Sequence, residues 1–184
     1  MSARSYLVLL WLVVVGTAGF MYFFHHDALQ QALSGLADRP SGWRYAAYLA
    51  LGCLRGFTLI PVTYLVVAGM LVLPPLPLYL LTIVGIVVSS AAVYYFADSL
   101  RLGAFFERRY APQVRELRAF LARRELPVVI AWSFFPMAPT DLICYVCGAL
   151  KVDLRKCLLG VTLGEGAICA IYIVIGTRML SWLR

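Results

Sequence analysis

Charge is scarce in this chain. Of 184 residues only nine are acidic and 16 are Lys or Arg, so charged residues make up 14%, well short of the quarter or so found in soluble globular domains. Histidine is scarcer still, with an adjacent pair at His25 and His26 and no acidic cluster beside it to complete a ligand set. Polar cysteine-bearing loops are missing as well: Cys53, Cys144, Cys147, Cys157 and Cys169 all lie in or at the edge of apolar segments, which excludes a disulfide framework of the secreted type. Cys144 and Cys147 form a C-x-x-C pair, but without a βαβ context or a second ligand pair they read as small apolar residues one helical turn apart. Enzyme signatures are absent too. Glutamine stands where an H-x-x-x-x-D acyltransferase motif would need its acid, and there is no metal-binding D-x-x-D-G run and no nucleophile elbow. No metal, cofactor or catalytic residue is assigned.

Apolar sequence is what the chain has in abundance. With 62% hydrophobic residues and a mean hydropathy of +0.85, it reads as an all-α polytopic membrane protein. The net charge of +7 does not point to nucleic acid, because the arginines sit in links between apolar runs, where the positive-inside rule accounts for them.

Tyr6 to Phe24 carries no charge and is preceded by Arg4, which predicts a first spanning helix with its N-terminus inside. A cleaved signal peptide is disfavoured, since the apolar run continues past Gly16, Ala18 and Gly19 through Phe20 and Phe24. Leu29, Leu33 and Leu36 recur at helical spacing in the polar stretch that follows, suggesting a short interfacial helix within an N-terminal region of residues 1–42.

Residues 43–184 form the main body. Between Arg55 and Asp98 lie 42 residues without a charge, too many for one span of about 20 residues, and Pro61, Pro74, Pro75 and Pro77 divide them. The expected arrangement is a hairpin over 43–73, broken near Pro61, then a span over 76–97. Seven arginines between Arg101 and Arg124, with Phe106, Tyr110, Val114, Leu117 and Leu121 at helical spacing, predict an amphipathic helix on the inner membrane face, restarting near Pro112.

Residues 126–150 contain Pro136, Pro139 and Asp141, then Gly148 and a short link with Lys151, Arg155 and Lys156. A single crossing would place that basic link outside; a re-entrant hairpin keeps it inside, where the positive-inside rule wants it. Residues 157–177 then make the last span. At an offset of 79, Gly69 falls on Gly148 and Gly85 on Gly164, and each pair follows a proline, Pro61 or Pro139. The two hairpin-plus-span units would then be oppositely oriented, an inverted repeat whose broken helices meet near the midplane.

The run Ser133-Phe-Phe-Pro136-Met-Ala-Pro139-Thr-Asp141-Leu-Ile-Cys144-Tyr145-Val-Cys-Gly148 resembles the signature R-x-x-P-x-x-P-x-N-x-x-N-Y-x-x-G of the DedA and VTT-domain superfamily, also called the SNARE-associated Golgi protein family. Leu158, Gly160 and Gly164 echo its L-x-G-x-x-x-G, and Phe57 to Gly69 is similar to its first hairpin. Proline at 139 places the chain nearer the VTT branch. It departs from the pattern at Ser133 (usually arginine), Asp141 and Cys144 (usually asparagine) and Asp98 (often basic). The resemblance implies lipid handling: scrambling of phospholipids or flipping of polyprenyl-phosphate carriers.

Ionised groups at bilayer depth cost at least about 2.5–3.5 kcal/mol, so each must pair or line water. Arg55, Asp141 and Glu165 meet that description, and Asp98, at a span's end, does so least. The expectation is that Arg55 is the counter-charge to Asp141 or Glu165 and contacts a lipid phosphate, with a carboxyl able to carry a proton. Pro61, Pro136, Pro139, Gly69 and Gly148 are the hairpin-breaking positions. The expected partners are membrane lipids and protons, not nucleic acid, and the expected location is a bacterial cytoplasmic membrane. An ion or small-solute carrier and a non-transporting scaffold are the alternatives.

Overall fold

The computed structural model describes residues 41–100, 102–135 and 139–182. The first helix, the interfacial helix, the histidines and Pro136 lie outside the described residues. Every element within them is helical.

Helix α1, Ser41–Leu54, tightens into a 3-10 turn over Arg55–Phe57. The Thr58 hydroxyl donates to the Arg55 carbonyl at 2.7 Å, and Leu59 adopts a left-handed φ of 57°. Pro61 then stands as N-cap of α2, Val62–Met70. Proline suits this place because its missing N–H falls where the helix has no acceptor to offer. Arg44 Nη1 donates to the Val72 carbonyl at 3.2 Å, bringing the start of α1 beside the end of α2.

Helix α3, Pro75–Ser99, opens on Pro74 as N-cap with proline in its first turn. Helix α4, Leu102–Phe134, kinks at Tyr110 and Arg124, where φ swings to −137° and −146°. Each kink stands just before a proline, Pro112 or Pro127, which therefore sits in the first turn of a new helical segment. Of the apolar stripe on the arginine-rich part, Val114 and Leu121 are buried while Tyr110 and Leu117 are exposed. Among the described residues, only part of the periodic face is buried.

After residues 135–139, helix α5 runs Thr140–Leu150 with Pro139 as N-cap. Lys151 closes it in a left-handed conformation, φ 57°, and Val152 N–H reaches back to the Cys147 carbonyl at 2.9 Å. These are the bonds of a Schellman ending, with lysine where glycine is usual. Asp153 Oδ1 accepts from Arg155 N–H at 2.7 Å, capping α6, Leu154–Trp182.

Among the described residues two helices, Pro75–Ser99 and Leu154–Met179, are long and apolar enough to cross a membrane. They form the centre of the bundle: α1 and α5 pack on α3, and α2 and the end of α4 pack on α6. Glycines permit the closest approaches. Gly52 of α1 meets Gly85 of α3, and Gly164 of α6 lies against Ile130 and Ser133 of α4. The faces turned away from these contacts are apolar, with Leu80, Val84 and Tyr95 on α3 and Leu159, Leu163 and Val174 on α6 all exposed.

Candidate functional site: a buried charge cluster between broken helices

The site is built where α1 ends. Because the chain leaves the α-helix at Leu54, Arg55 starts a tight turn directed into the bundle, where it is 5% exposed. Its Nη2 donates to Glu165 Oε2 of α6 at 2.8 Å, and its Nη1 lies 3.6 Å from Asp141 Oδ2 of α5. Both acids are 1% exposed. Residues spread over 110 positions therefore meet at one point, and the three sequence candidates are brought together. The two carboxylates are not equivalent, since only Glu165 is hydrogen-bonded to the guanidinium; Asp141 has no hydrogen-bond partner at either oxygen, and Arg55 Nε and Nη1 have none.

Asp141 fits because Gly56 makes room for it. A Cβ at Gly56 would stand 3.2 Å from Asp141 Oδ1, 2.8 Å from Val93 and 3.2 Å from Ser89, so a larger residue in this turn would displace the carboxylate.

Beside the cluster lies a small cleft lined by Pro61, Thr63, Ser133, Phe135, Thr140 and Glu165. It is where the first turns of α2 and α5 converge, and neither turn has a side-chain cap. Such uncapped ends offer free N–H groups and a partial positive charge. Ser133 is 2% exposed and its hydroxyl has no partner.

Several polar residues of the interior were not among the sequence candidates. Thr82, Ser89 and Ser90 are buried on α3, and Tyr48 and Thr82 hydroxyls lie 2.7 Å apart. The spacing of seven from Thr82 to Ser89 inside an otherwise apolar span was the available signal, since it places both on one helix face. Thr63, Ser133 and Thr140 needed the fold to be seen as neighbours.

Two further ion pairs of the described residues lie elsewhere. Asp98 pairs with Lys151 at 3.6 Å in an exposed position, and Lys156 pairs with Glu125 at 2.6 Å. Cys144 and Cys147 are buried free thiols. Among the described residues no group of three or more potential ligands could hold a metal ion. Gly69 and Gly148 are contact points rather than cleft residues: Gly69 packs on Tyr48 and Leu78, and Gly148 on the Tyr94 carbonyl and Ala97.

The family model of the VTT domain matches residues 59–178. The chain belongs to the VTT-domain family, within the DedA and VTT superfamily. The matched VTT region contains Asp141, Glu165, the N-cap prolines Pro61, Pro74 and Pro139, and all but the last residue of the two long apolar helices. Arg55 falls four positions before it. No curated protein and no solved structure matches the chain. Membership and the two apolar helices together make this an integral membrane protein.

Proposed function

We propose that this VTT-domain protein is a membrane lipid transporter, a flippase or scramblase of phospholipid or polyprenyl-phosphate lipids, working without enzymatic chemistry in a bacterial cytoplasmic membrane with its N-terminus inside. The observation that carries the reading is the incompletely paired Arg55, buried beside two carboxylates, one of which, Glu165, lines the cleft where the first turns of two broken helices converge. Ionisable groups inside a membrane bundle mark substrate or ion pathways, and the guanidinium is the side chain best shaped for phosphate.

The reading includes two re-entrant hairpins related as inverted repeats, each meeting the other near the midplane. Support comes from the packing. The helix before each break packs on the long helix of its own unit, α1 on α3 and α4 on α6, while the helix after each break packs on the long helix of the other unit, α2 on α6 and α5 on α3. Burial follows the same offset of 79: Leu78, Thr82, Gly85, Ile86 and Ser90 are buried, and so are Cys157, Val161, Gly164, Glu165 and Cys169, whereas Leu80, Val84 and Tyr95 are exposed along with Leu159, Leu163 and Val174. The match is partial, since buried Ser89, Val93 and Ala97 fall on half-buried Ile168, Tyr172 and Gly176.

Coupling to protons is part of the proposal, with one of the two carboxyls as carrier. The small size of the cleft is the observation that favours the second reading, an ion or small-solute carrier. The test is reconstitution of the purified protein in liposomes with labelled lipid on one leaflet. Accelerated movement is expected, and loss of it in folded Asp141→Asn with Glu165→Gln. No acceleration for any phospholipid or polyprenyl phosphate would sink the lipid reading.

A further inference from the structure

A half-buried cation without an anion stands at the mouth of the first hairpin. Arg44, near the start of α1, is partly withdrawn from its surroundings. Its Nη1 donates to the Val72 carbonyl at 3.2 Å, and its Nε is buried with no hydrogen-bond partner. Among the described residues it takes part in no ion pair. The bond to Val72 fixes the guanidinium and leaves its Nε edge, which can grip a phosphate with two parallel N–H bonds, without an acceptor.

From Arg44 a shallow apolar groove runs between α1 and α2. Tyr48 and Leu51 follow Arg44 at intervals of four and three, which places all three on one face of α1. Leu65, Ala68 and Val72 line the other wall at intervals of three and four, on α2 and just past its end. The Tyr48 hydroxyl is engaged by Thr82 at 2.7 Å, so the tyrosine presents its ring to the groove. Leu51 is 49% exposed, and the groove is open on that side.

Depth narrows what fills it. Arg44 precedes Arg55 by 11 residues, about 16 Å along a helix, which is half of a hydrocarbon core of about 30 Å. With the charge cluster near the midplane, Arg44 stands at headgroup level, where the exposed Trp43 beside it is also at home. A free anion would satisfy the guanidinium alone. A phospholipid satisfies both features, with phosphate at the mouth and an acyl chain on the apolar walls. The apolar run Tyr6 to Phe24 has no acid to offer Arg44.

We propose that the groove between α1 and α2 holds one phospholipid as a fixed component of the protein, its phosphate on Arg44 and an acyl chain along Tyr48, Leu51, Leu65 and Ala68. The proposal rests on the membrane placement in the lipid-transporter reading and not on transport. Arg44 contacts the phosphate, so the group esterified beyond it matters little.

The test uses the full-length protein in mild detergent, stripped of lipid and titrated by native mass spectrometry and thermal melting. The probes are phosphoglycerol and phosphoethanolamine lipids, diacylglycerol with the same chains, glycerophosphate and inorganic phosphate. Both phospholipids are expected to bind as one saturable equivalent and to raise Tm. Their binding should be at least about tenfold tighter than that of diacylglycerol, the affinity equivalent of one hydrogen bond to a charged group. The two soluble phosphates are expected to shift nothing. Arg44→Gln and Ala68→Phe should each lose the bound equivalent, whereas Asp141→Asn keeps it, which separates the groove from the charge cluster. Diacylglycerol bound as tightly as phospholipid, a Tm shift by inorganic phosphate equal to that by lipid, or the equivalent retained in both groove variants would overturn the proposal. So would a photoreactive residue in place of Leu51 that captures residues 6–24 instead of lipid. Where Arg44→Gln fails to fold, Ala68→Phe and the comparison of probes decide. A bound equivalent lost in Ala68→Phe, with no lipid movement in liposomes, sinks the transporter reading alone; movement without a bound equivalent sinks this proposal alone.

Discussion

Arg55 donates a 2.8 Å hydrogen bond to Glu165, 110 positions further along the chain. The bond ties the turn that ends α1 to the middle of α6, one of the two long apolar helices. Because both side chains are withdrawn from solvent, its removal is felt through what is left behind.

Replacing Arg55 by leucine leaves two carboxylates in the interior with no cation. Breaking a buried pair from one side costs about 3–5 kcal/mol, whereas exchanging the whole set for well-packed neutral groups is often close to neutral. Arg55→Leu is therefore expected to lower the unfolding free energy in detergent micelles by about that amount. The combination Arg55→Met, Asp141→Asn and Glu165→Leu is expected to recover most of it. An Arg55→Leu protein as stable as wild type would show that the bond carries no structural load.

The two acids are expected to differ. Glu165 accepts the short hydrogen bond, and Asp141 accepts none. Glu165→Gln should therefore reduce stability by about 1.5–3 kcal/mol, the range for a hydrogen bond to a charged group. Asp141→Asn, which removes a buried carboxylate held by only a 3.6 Å ion pair, should cost less or stabilise. Urea or SDS titration of the two variants side by side checks the order, and the opposite order would contradict the asymmetric geometry.

Much of this was legible because membranes make certain residues conspicuous. Pro61 and Pro139 interrupt apolar sequence, and in the structure each caps a short helix; a residue without a backbone donor has few other places to stand. Arg55, Asp141 and Glu165 stood out because isolated charges are expensive in hydrocarbon. What could not be read was how the charges divide, since the distances 2.8 and 3.6 Å depend on where α5 and α6 sit. Nor could the periodicity of the arginine-rich segment say that Tyr110 and Leu117 would be exposed while Val114 and Leu121 are buried. An apolar stripe shows that a face seeks cover without naming what covers it. Ser133 read as the loss of a charge, and only the convergence of four segments makes it a polar wall of the cleft.

Helix contacts built on glycine should resist even one added methyl group. At Gly148 a Cβ would run into the Tyr94 carbonyl, and at Gly164 it would stand 2.5 Å from the Ile130 carbonyl, in both cases against backbone that cannot rotate aside. Gly148→Ala and Gly164→Ala are each expected to destabilise by about 1–3 kcal/mol, the usual overpacking range. Gly42→Ala is the control, because nothing lies within 4 Å of its Cβ position. Thermal melts in detergent should separate the two contact variants from the control.

Among the described residues two other than glycine adopt a left-handed backbone, Leu59 and Lys151, both at φ 57°. The conformation costs an L-residue roughly 1–2 kcal/mol that glycine avoids. Lys151 stands at the end of α5 with an exposed side chain, and its contact with Asp98 is a 3.6 Å pair between exposed groups, worth about 0–1 kcal/mol. Lys151→Gly therefore relieves more than it removes, and a stability gain of up to about 1 kcal/mol is expected. Leu59 is different, because its side chain packs against the buried core. Leu59→Gly gains the same backbone relief but loses that packing, and for a partly buried leucine about 1.5–3 kcal/mol of burial is the upper bound. The first variant should melt higher than wild type and the second lower. A Leu59→Gly protein that also melted higher than wild type would mean that backbone strain, not side-chain packing, governs both turns.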